Sequence, residues 1–182
     1  MSTNLLAGKR GVIFGALDDK SIAWKVAERC VEEGATITLT NAPVALRMGG
    51  IQELGKKLNA EVIPADATSE ADLEKLFGES QEVLGGKIDF VLHAIGMSLN
   101  VRKKREYTDL KYEWMQKTLD ISAISFHKVM QQLYKMDAMS DWGSIVGLSY
   151  IAAQRTFPDY SEMAESKALL ESFARSFGYH FA

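Results

Sequence analysis

Apolar residues fall into short runs separated by longer stretches with helical spacing, and the two patterns alternate along the chain. Gly11-Val12-Ile13-Phe14-Gly15 is a compact apolar run ending in glycine, which predicts a buried strand. Ser21-Ile22-Ala23-Trp24 then opens a helical pattern that runs to Glu33-Gly34, where glycine supplies a cap. Thr36 to Thr40 is rich in β-branched residues and predicts a second strand, followed by a helix towards Leu58 and a third strand at Glu61-Val62-Ile63-Pro64. Ser69-Glu70-Ala71-Asp72 puts a capping serine and early acids at the start of the next helix, and Ile88 to Ala94 reads as a fourth strand. A long helix is expected over Lys111 to Met136, a fifth strand over Gly143 to Leu148, and a last helix over Tyr160 to Phe181. Five strands interleaved with helices predict an α/β fold, a three-layer, Rossmann-like, doubly wound parallel sheet.

Composition narrows the picture. A chain of 182 residues, 47% hydrophobic and without a compositional break, predicts one domain over 1–182 with one sizeable core. The net charge of -3 argues against a nucleic-acid partner, which would favour a basic surface. Arg102-Lys103-Lys104-Arg105 is the one dense basic run, and it reads either as a solvated loop or as a patch for an acidic partner. Cys30 is alone, which rules out an intramolecular disulfide and suits a reducing compartment. Met1 to Ala7 lacks the features of a leader, and no apolar stretch approaches the ~20 residues of a membrane span, so no membrane is expected and the location is read as cytoplasmic. His93, His127 and His180 show no metal-ligand spacing, and no metal is expected.

Chemistry concentrates after the predicted strands. Tyr160 and Lys167 are seven residues apart, about two turns on one helical face, with Tyr150 ten residues upstream. A cation beside a phenol favours phenolate and improves the phenol as a proton donor or oxyanion stabiliser. The same spacing also fits an amphipathic helix with an aromatic core residue and a solvated lysine. Gly15, Asp66, Ile95-Gly96 and Ser149-Tyr150 directly follow predicted strands, at the sheet edge where such folds bind dinucleotides. They are also common turn residues. Ser21, at a helix start, can help cradle a pyrophosphate or can simply cap the helix.

Together, Gly15-x5-Ser21-Ile22-Ala23, His93-Ala94-Ile95-Gly96, Asp120-Ile121-Ser122 and Leu148-Ser149-Tyr150 with Tyr160-x6-Lys167 closely resemble the enoyl-acyl-carrier-protein reductases, divergent short-chain dehydrogenase/reductases. The resemblance implies reduction of the carbon-carbon double bond of a trans-2-enoyl thioester on acyl carrier protein during fatty-acid elongation. It implies that Gly15, Ser21 and Ile22 hold the cofactor pyrophosphate, Asp66 with Ala67 the adenine, Ile95 with Gly96 the nicotinamide side, and Lys167 the nicotinamide ribose. Tyr160 would stabilise the enolate oxygen, Tyr150 would line the acyl pocket close to the reacting centre and help with proton delivery as a second catalytic tyrosine, Ser98 would sit near the substrate, and Met163 would pack in the core or against the acyl chain. A homotetramer is implied as well.

Carbonyl-reducing relatives such as β-ketoacyl reductases place a serine about thirteen residues before the tyrosine, where this chain has Gly147; Ser149 and Ser144 are the nearest hydroxyls. Lys25 stands where many family members have glycine. Thr40-Asn41-Ala42-Pro43 offers no acid for ribose hydroxyls, and the nearest base is Arg47. Without a basic pair directly after that strand, NADH is expected over NADPH, with NADPH still open. The family continues through a sixth strand, a covering loop and a seventh strand, which are not in this sequence. The expectation is a fragment or truncated chain whose fifth strand is an open edge, with a cofactor cleft and poor or absent turnover. Two classes of function follow: an oxidoreductase active in its complete form, or a nucleotide-binding or interaction module without catalysis.

Overall fold

The computed structural model describes residues 3–47 and 49–182; the first two residues of the N-terminal stretch considered above lie outside the described residues. Five parallel strands, β1 (Arg10–Phe14), β2 (Thr36–Thr40), β3 (Glu61–Val62), β4 (Ile88–His93) and β5 (Met139–Gly147), form one sheet in the order β3-β2-β1-β4-β5. The strand order reverses between β1 and β4, which opens a crevice beyond their carboxyl ends. Among the described residues β5 pairs with β4 alone.

The period of two along β1 sorts its side chains into two cores. Val12 and Phe14 face Leu73, Leu76 and Phe77 of α4 (Glu70–Leu84) and Val129 and Leu133 of α7 (Ser125–Lys135). Ile13 faces the other way, into Ala23, Trp24 and Ala27 of α1 (Ile22–Glu32) and Ile51 and Leu54 of α3 (Ile51–Leu58). With both faces covered, the interior strands can be apolar throughout, and their burial is the main source of stability. The last helix, α8 (Met163–Phe181), lies against α7 through Leu170, Phe126 and Met130.

The structure departs from the sequence reading in several places, among them the edge strands: β5 starts at Met139 rather than Gly143, and β3 ends at Val62 rather than Pro64. The helix expected towards Leu58 is two pieces, α2 (Pro43–Leu46) and α3. A short helix, α5 (Leu99–Arg102), follows β4; its start is set by Ser98, whose Oγ accepts from Val101 N at 3.0 Å. The span Lys111 to Met136 comprises α6 (Tyr112–Leu119), a π-helical turn at Asp120–Ile124, and α7. Tyr160 ends a 3-10 turn, Pro158–Tyr160, and α8 begins only at Met163, because Ser161 takes φ 48° and ψ -144° and breaks the helix between them.

Candidate active site

The crevice begins at Gly15, which has φ +93°; a side-chain carbon there would lie 2.2 Å from the carbonyl oxygen of Ala94. Only glycine satisfies both demands, so the turn after β1 presses against the segment after β4. Asn41 fixes the same turn from β2, donating from Nδ2 to Ala16 O at 3.1 Å and accepting from Ala42 N at 2.9 Å. Its amide thus serves the protein at the position where an acid would pair with ribose hydroxyls. Ser21 precedes α1 without capping it: its Oγ accepts from Leu17 N at 3.2 Å and donates to Asp18 O at 2.7 Å. The hydroxyl shapes the loop, and an anion would be met by the main-chain N–H groups of Ile22 and its successors at the helix start.

The far side of the crevice is built by Ile95, Gly96 and Met97. Ser122, in the π-helical turn, holds this segment by accepting from Met97 N at 3.0 Å. A side-chain carbon at exposed Gly96 would lie 3.4 Å from Met163 Cε and 3.9 Å from Lys167 Nζ, so these three residues meet at one point. Lys167 is buried and donates to Leu148 O at 2.7 Å, and burial lowers its ammonium from the ordinary range. Beyond β3, exposed Asp66 accepts at Oδ1 from Thr68 N at 2.9 Å, and Ala67 is buried beside it.

Tyr150 and Tyr160 converge, with ring centroids 4.6 Å apart, and Phe157 flanks Tyr150 at 5.3 Å. The sequence argument that one helix face joins Tyr160 to Lys167 is corrected by the break at Ser161. The expected depression of the Tyr160 phenol is corrected too. Burial, and after it the neighbouring Tyr150, raise it above the ordinary phenol range. Tyr160 is therefore held as the neutral hydroxyl, the form that can donate.

Two further placements bear on function. Ser98 is 5% exposed and donates to Glu162 Oε1 at 2.7 Å, so its hydroxyl is engaged within the protein rather than offered to a substrate. A side-chain carbon at Gly147 would come 3.0 Å from Phe126 Cζ and 3.2 Å from Leu170 Cδ2, while Ser149 donates to Glu171 at 2.6 Å. The serine position of carbonyl reducers is thus crowded, and the nearest downstream hydroxyl is already paired. Sequence reasoning missed Glu162, Asn100, Thr118 and the part played by Ser122. A polar residue two positions after a tyrosine, or inside a helix, carries no mark of burial.

His93, at the end of β4, is fully buried, with Nε2 2.8 Å from Ser125 Oγ. Burial, then the charge of Lys167, lowers it to about 3, so it is neutral. Among the described residues no cluster of His, Cys, Asp or Glu could hold a metal, and no helix is long and apolar enough to cross a membrane.

A family model described as "Enoyl-(Acyl carrier protein) reductase" matches residues 15–182. The chain is 37% identical over 175 residues to an enoyl-[acyl-carrier-protein] reductase [NADH] 1 of Rhizobium meliloti, covering 96% of this chain and 63% of the relative. It is 32% identical over 176 residues to an NADH-dependent FabI of Rickettsia bellii, covering 96% and 66%. A crystal structure of a FabI-NADH complex from Alistipes finegoldii superposes with a TM-score of 0.96 at 65% identity, covering 98% of this chain and 63% of that one. The chain thus spans under two thirds of the length of each of these proteins.

Proposed function

The chain belongs to the enoyl-acyl-carrier-protein reductase family, and from that premise we propose that it serves the NADH-dependent reduction of trans-2-enoyl thioesters carried on acyl carrier protein. The observation that carries the reading is the tyrosine pair, Tyr150 against Tyr160 at 4.6 Å, combined with a glycine, packed closely by Phe126 and Leu170, at the position where carbonyl reducers have a serine.

The residues present suit a dinucleotide: a glycine turn that approaches main chain, a helix start beyond it, and exposed Gly96 beside a buried lysine. Gly15, the N–H groups at Ile22, Asp66, Ala67, Ile95, Gly96 and Lys167 would hold it, and when bound it supplies hydride. Tyr160 donates from its neutral phenol to the thioester carbonyl and stabilises the negative charge that grows on that oxygen as the β-carbon is reduced. Tyr150 and Phe157 bound the acyl side, and Met163 packs between Gly96 and Ser122, where its Sδ is 3.7 Å from Ser122 Oγ. Lys167, held by Leu148, contributes a fixed positive charge near the ribose position.

Arg102, Lys103 and Lys104 are exposed at the end of α5 and offer a surface for the acidic carrier. The helical span of α6 and α7, together with α8, would support a homotetramer, and the single buried Cys30 suits the cytoplasm. The test is loss of reduced-nicotinamide absorbance on adding crotonyl thioester, with NADH and NADPH in parallel. Turnover with NADH that disappears in Tyr160→Phe supports the reading; reduction of acetoacetyl thioester in its place defeats it.

A further inference from the structure

Tyr160 stands on a turn that no helix supports. The 3-10 turn ends at this residue, Ser161 has φ 48°, and α8 starts at Met163. The residue between break and helix is Glu162, 0% exposed. Its Oε1 accepts from Ser98 Oγ at 2.7 Å, Thr118 Oγ1 at 2.8 Å and Asn100 Nδ2 at 3.1 Å. Ser98 caps α5, Asn100 lies within it, and Thr118 belongs to α6. Asn100 also grips the residue before α6, accepting from Lys111 N at 3.1 Å and donating to Lys111 O at 3.3 Å. One carboxylate oxygen thus ties two separate helices, α5 and α6, to the turn.

The chemistry of this site is unusual for a surface-type residue. A buried carboxylate normally finds a cation, whereas these three donors are neutral. Burial pushes the carboxyl up, but hydrogen bonds led by Ser98 outweigh it and the net direction is down, so Glu162 is ionised at neutral pH. An apolar side chain here would leave Ser98 Oγ without its acceptor and would cost Asn100 Nδ2 and Thr118 Oγ1 one of their two acceptors, the others being Lys111 O and Trp114 O. A device this costly to bury fits a need for fixed geometry, and the nearest group with such a need is Tyr160, two residues away.

We propose that Glu162 is a positioning residue for the reduction, its carboxylate fastening the turn that presents Tyr160 to α5 and α6. The proposal rests on the enoyl-reductase reading. It also joins the exposed basic residues at the end of α5 to the turn of Tyr160 through a single network, so a carrier docked there would lean on the element that holds the phenol.

The test compares the protein with Glu162→Leu and Glu162→Gln, the latter keeping an acceptor oxygen. Three quantities are read: kcat and KM with crotonyl thioester, NADH affinity by fluorescence, and the ultraviolet titration of Tyr160 obtained by difference from Tyr160→Phe in each background. Glu162→Leu is expected to lower kcat about 30-fold while KM and NADH affinity stay within about threefold, and Gln is expected to restore kcat to within about fivefold. In Glu162→Leu the Tyr160 titration is expected to fall back towards the ordinary phenol range as the loosened turn admits water. A kcat within about twofold of the parent, or a loss shared equally with NADH affinity, would overturn the proposal. Should Glu162→Leu fail to fold, Ser98→Ala combined with Thr118→Val removes two donors and leaves Glu162 in place. A lowered kcat with unchanged NADH affinity is again the supporting result, and an unchanged kcat the opposing one. If the parent reduces no enoyl thioester, the family reaction is the part that fails, and the Tyr160 titration alone decides the positioning role: a fall in Glu162→Leu supports it and no movement refutes it.

Discussion

Tyr150 and Tyr160 face each other with ring centroids 4.6 Å apart and planes inclined by 45°, although Tyr150 leaves the end of the sheet and Tyr160 closes a separate turn. Each ring limits the water around the other, and that desolvation is the main reason the Tyr160 phenol lies above its ordinary range. A hydroxyl kept neutral is a donor at every physiological pH. Tyr160→Phe removes the donor aimed at the developing oxyanion, so kcat should fall about 100-fold or more with NADH affinity unchanged. The sign of the pH effect follows from the raised value: activity that depends on the neutral phenol persists through the ordinary phenol range and declines only above it. A kcat–pH profile measured into the alkaline region checks this, and a decline centred below ~10 would contradict the assignment.

Gly147 decides between two chemistries by crowding. Its missing side chain leaves room for Phe126 and Leu170, which a carbon atom would meet at 3.0 and 3.2 Å. Gly147→Ser is expected to lower stability by about 1–3 kcal/mol through overpacking and to confer no reduction of acetoacetyl thioester. Thermal unfolding and a carbonyl-reduction assay report the two parts separately. Gain of carbonyl reduction without loss of stability would show that the position is freer than its neighbours suggest.

The basic run divides in the folded chain. Arg105 is partly buried and paired with Asp109, whereas Arg102, Lys103 and Lys104 are exposed. Reversal of those three to glutamate should raise KM for a carrier-bound enoyl thioester about tenfold, with kcat and the KM for a small crotonyl thioester unchanged. The difference should shrink as salt is added, because exposed charges beyond about 10 Å are screened at 0.1 M. Equal effects on both substrates would remove the carrier-docking role.

What could be read from the sequence was set by local patterning. Thr36 to Thr40 is a strand with the bounds its β-branched run suggests, because a fully covered parallel strand has little choice of state. Gly15 was legible for a related reason, since a glycine after an apolar run marks a tight turn whichever side chains surround it. The break at Ser161 was not legible: Tyr160-Ser161-Glu162-Met163 contains no glycine or proline to announce the φ of 48° that Ser161 takes. The π-helical turn at Asp120–Ile124 is equally silent, as its residues keep helical spacing while the ladder shifts by one. Glu162 was missed because its partners come from positions 98, 100 and 118, contacts that only the tertiary fold creates. Polar residues that bind each other in the core leave no periodic trace.

His93 offers a test of the fold that is independent of catalysis. It lies between Phe14 and Phe126, with ring centroids 6.2 and 5.1 Å away, and its titration is lowered to about 3 by burial first and Lys167 second. The unfolded chain would take up a proton near the ordinary value of about 6.5, where the folded chain does not. Between those values the unfolded state binds more protons, so stability is intact above about pH 6.5 and falls as pH is lowered, by up to about 1.4 kcal/mol per unit. Buried and half-buried carboxylates titrate lower: Glu162, Glu33 and Asp89, where hydrogen bonds from Ser98, Thr3 and Arg10 respectively outweigh burial, are all depressed. Because their unfolded-state titration lies at about 4.5 or below, their own contribution begins to be lost only towards the lower end, and the interval from about pH 6.5 to about 5.5 reports chiefly the histidine. His93→Phe keeps a ring between Phe14 and Phe126, and Ser125 retains its bond to Ile121 O at 2.7 Å. Denaturant unfolding across that interval should show a slope in the parent that flattens in His93→Phe. Equal slopes in both would mean that His93 is protonated inside the folded protein, and the neutral assignment would fall.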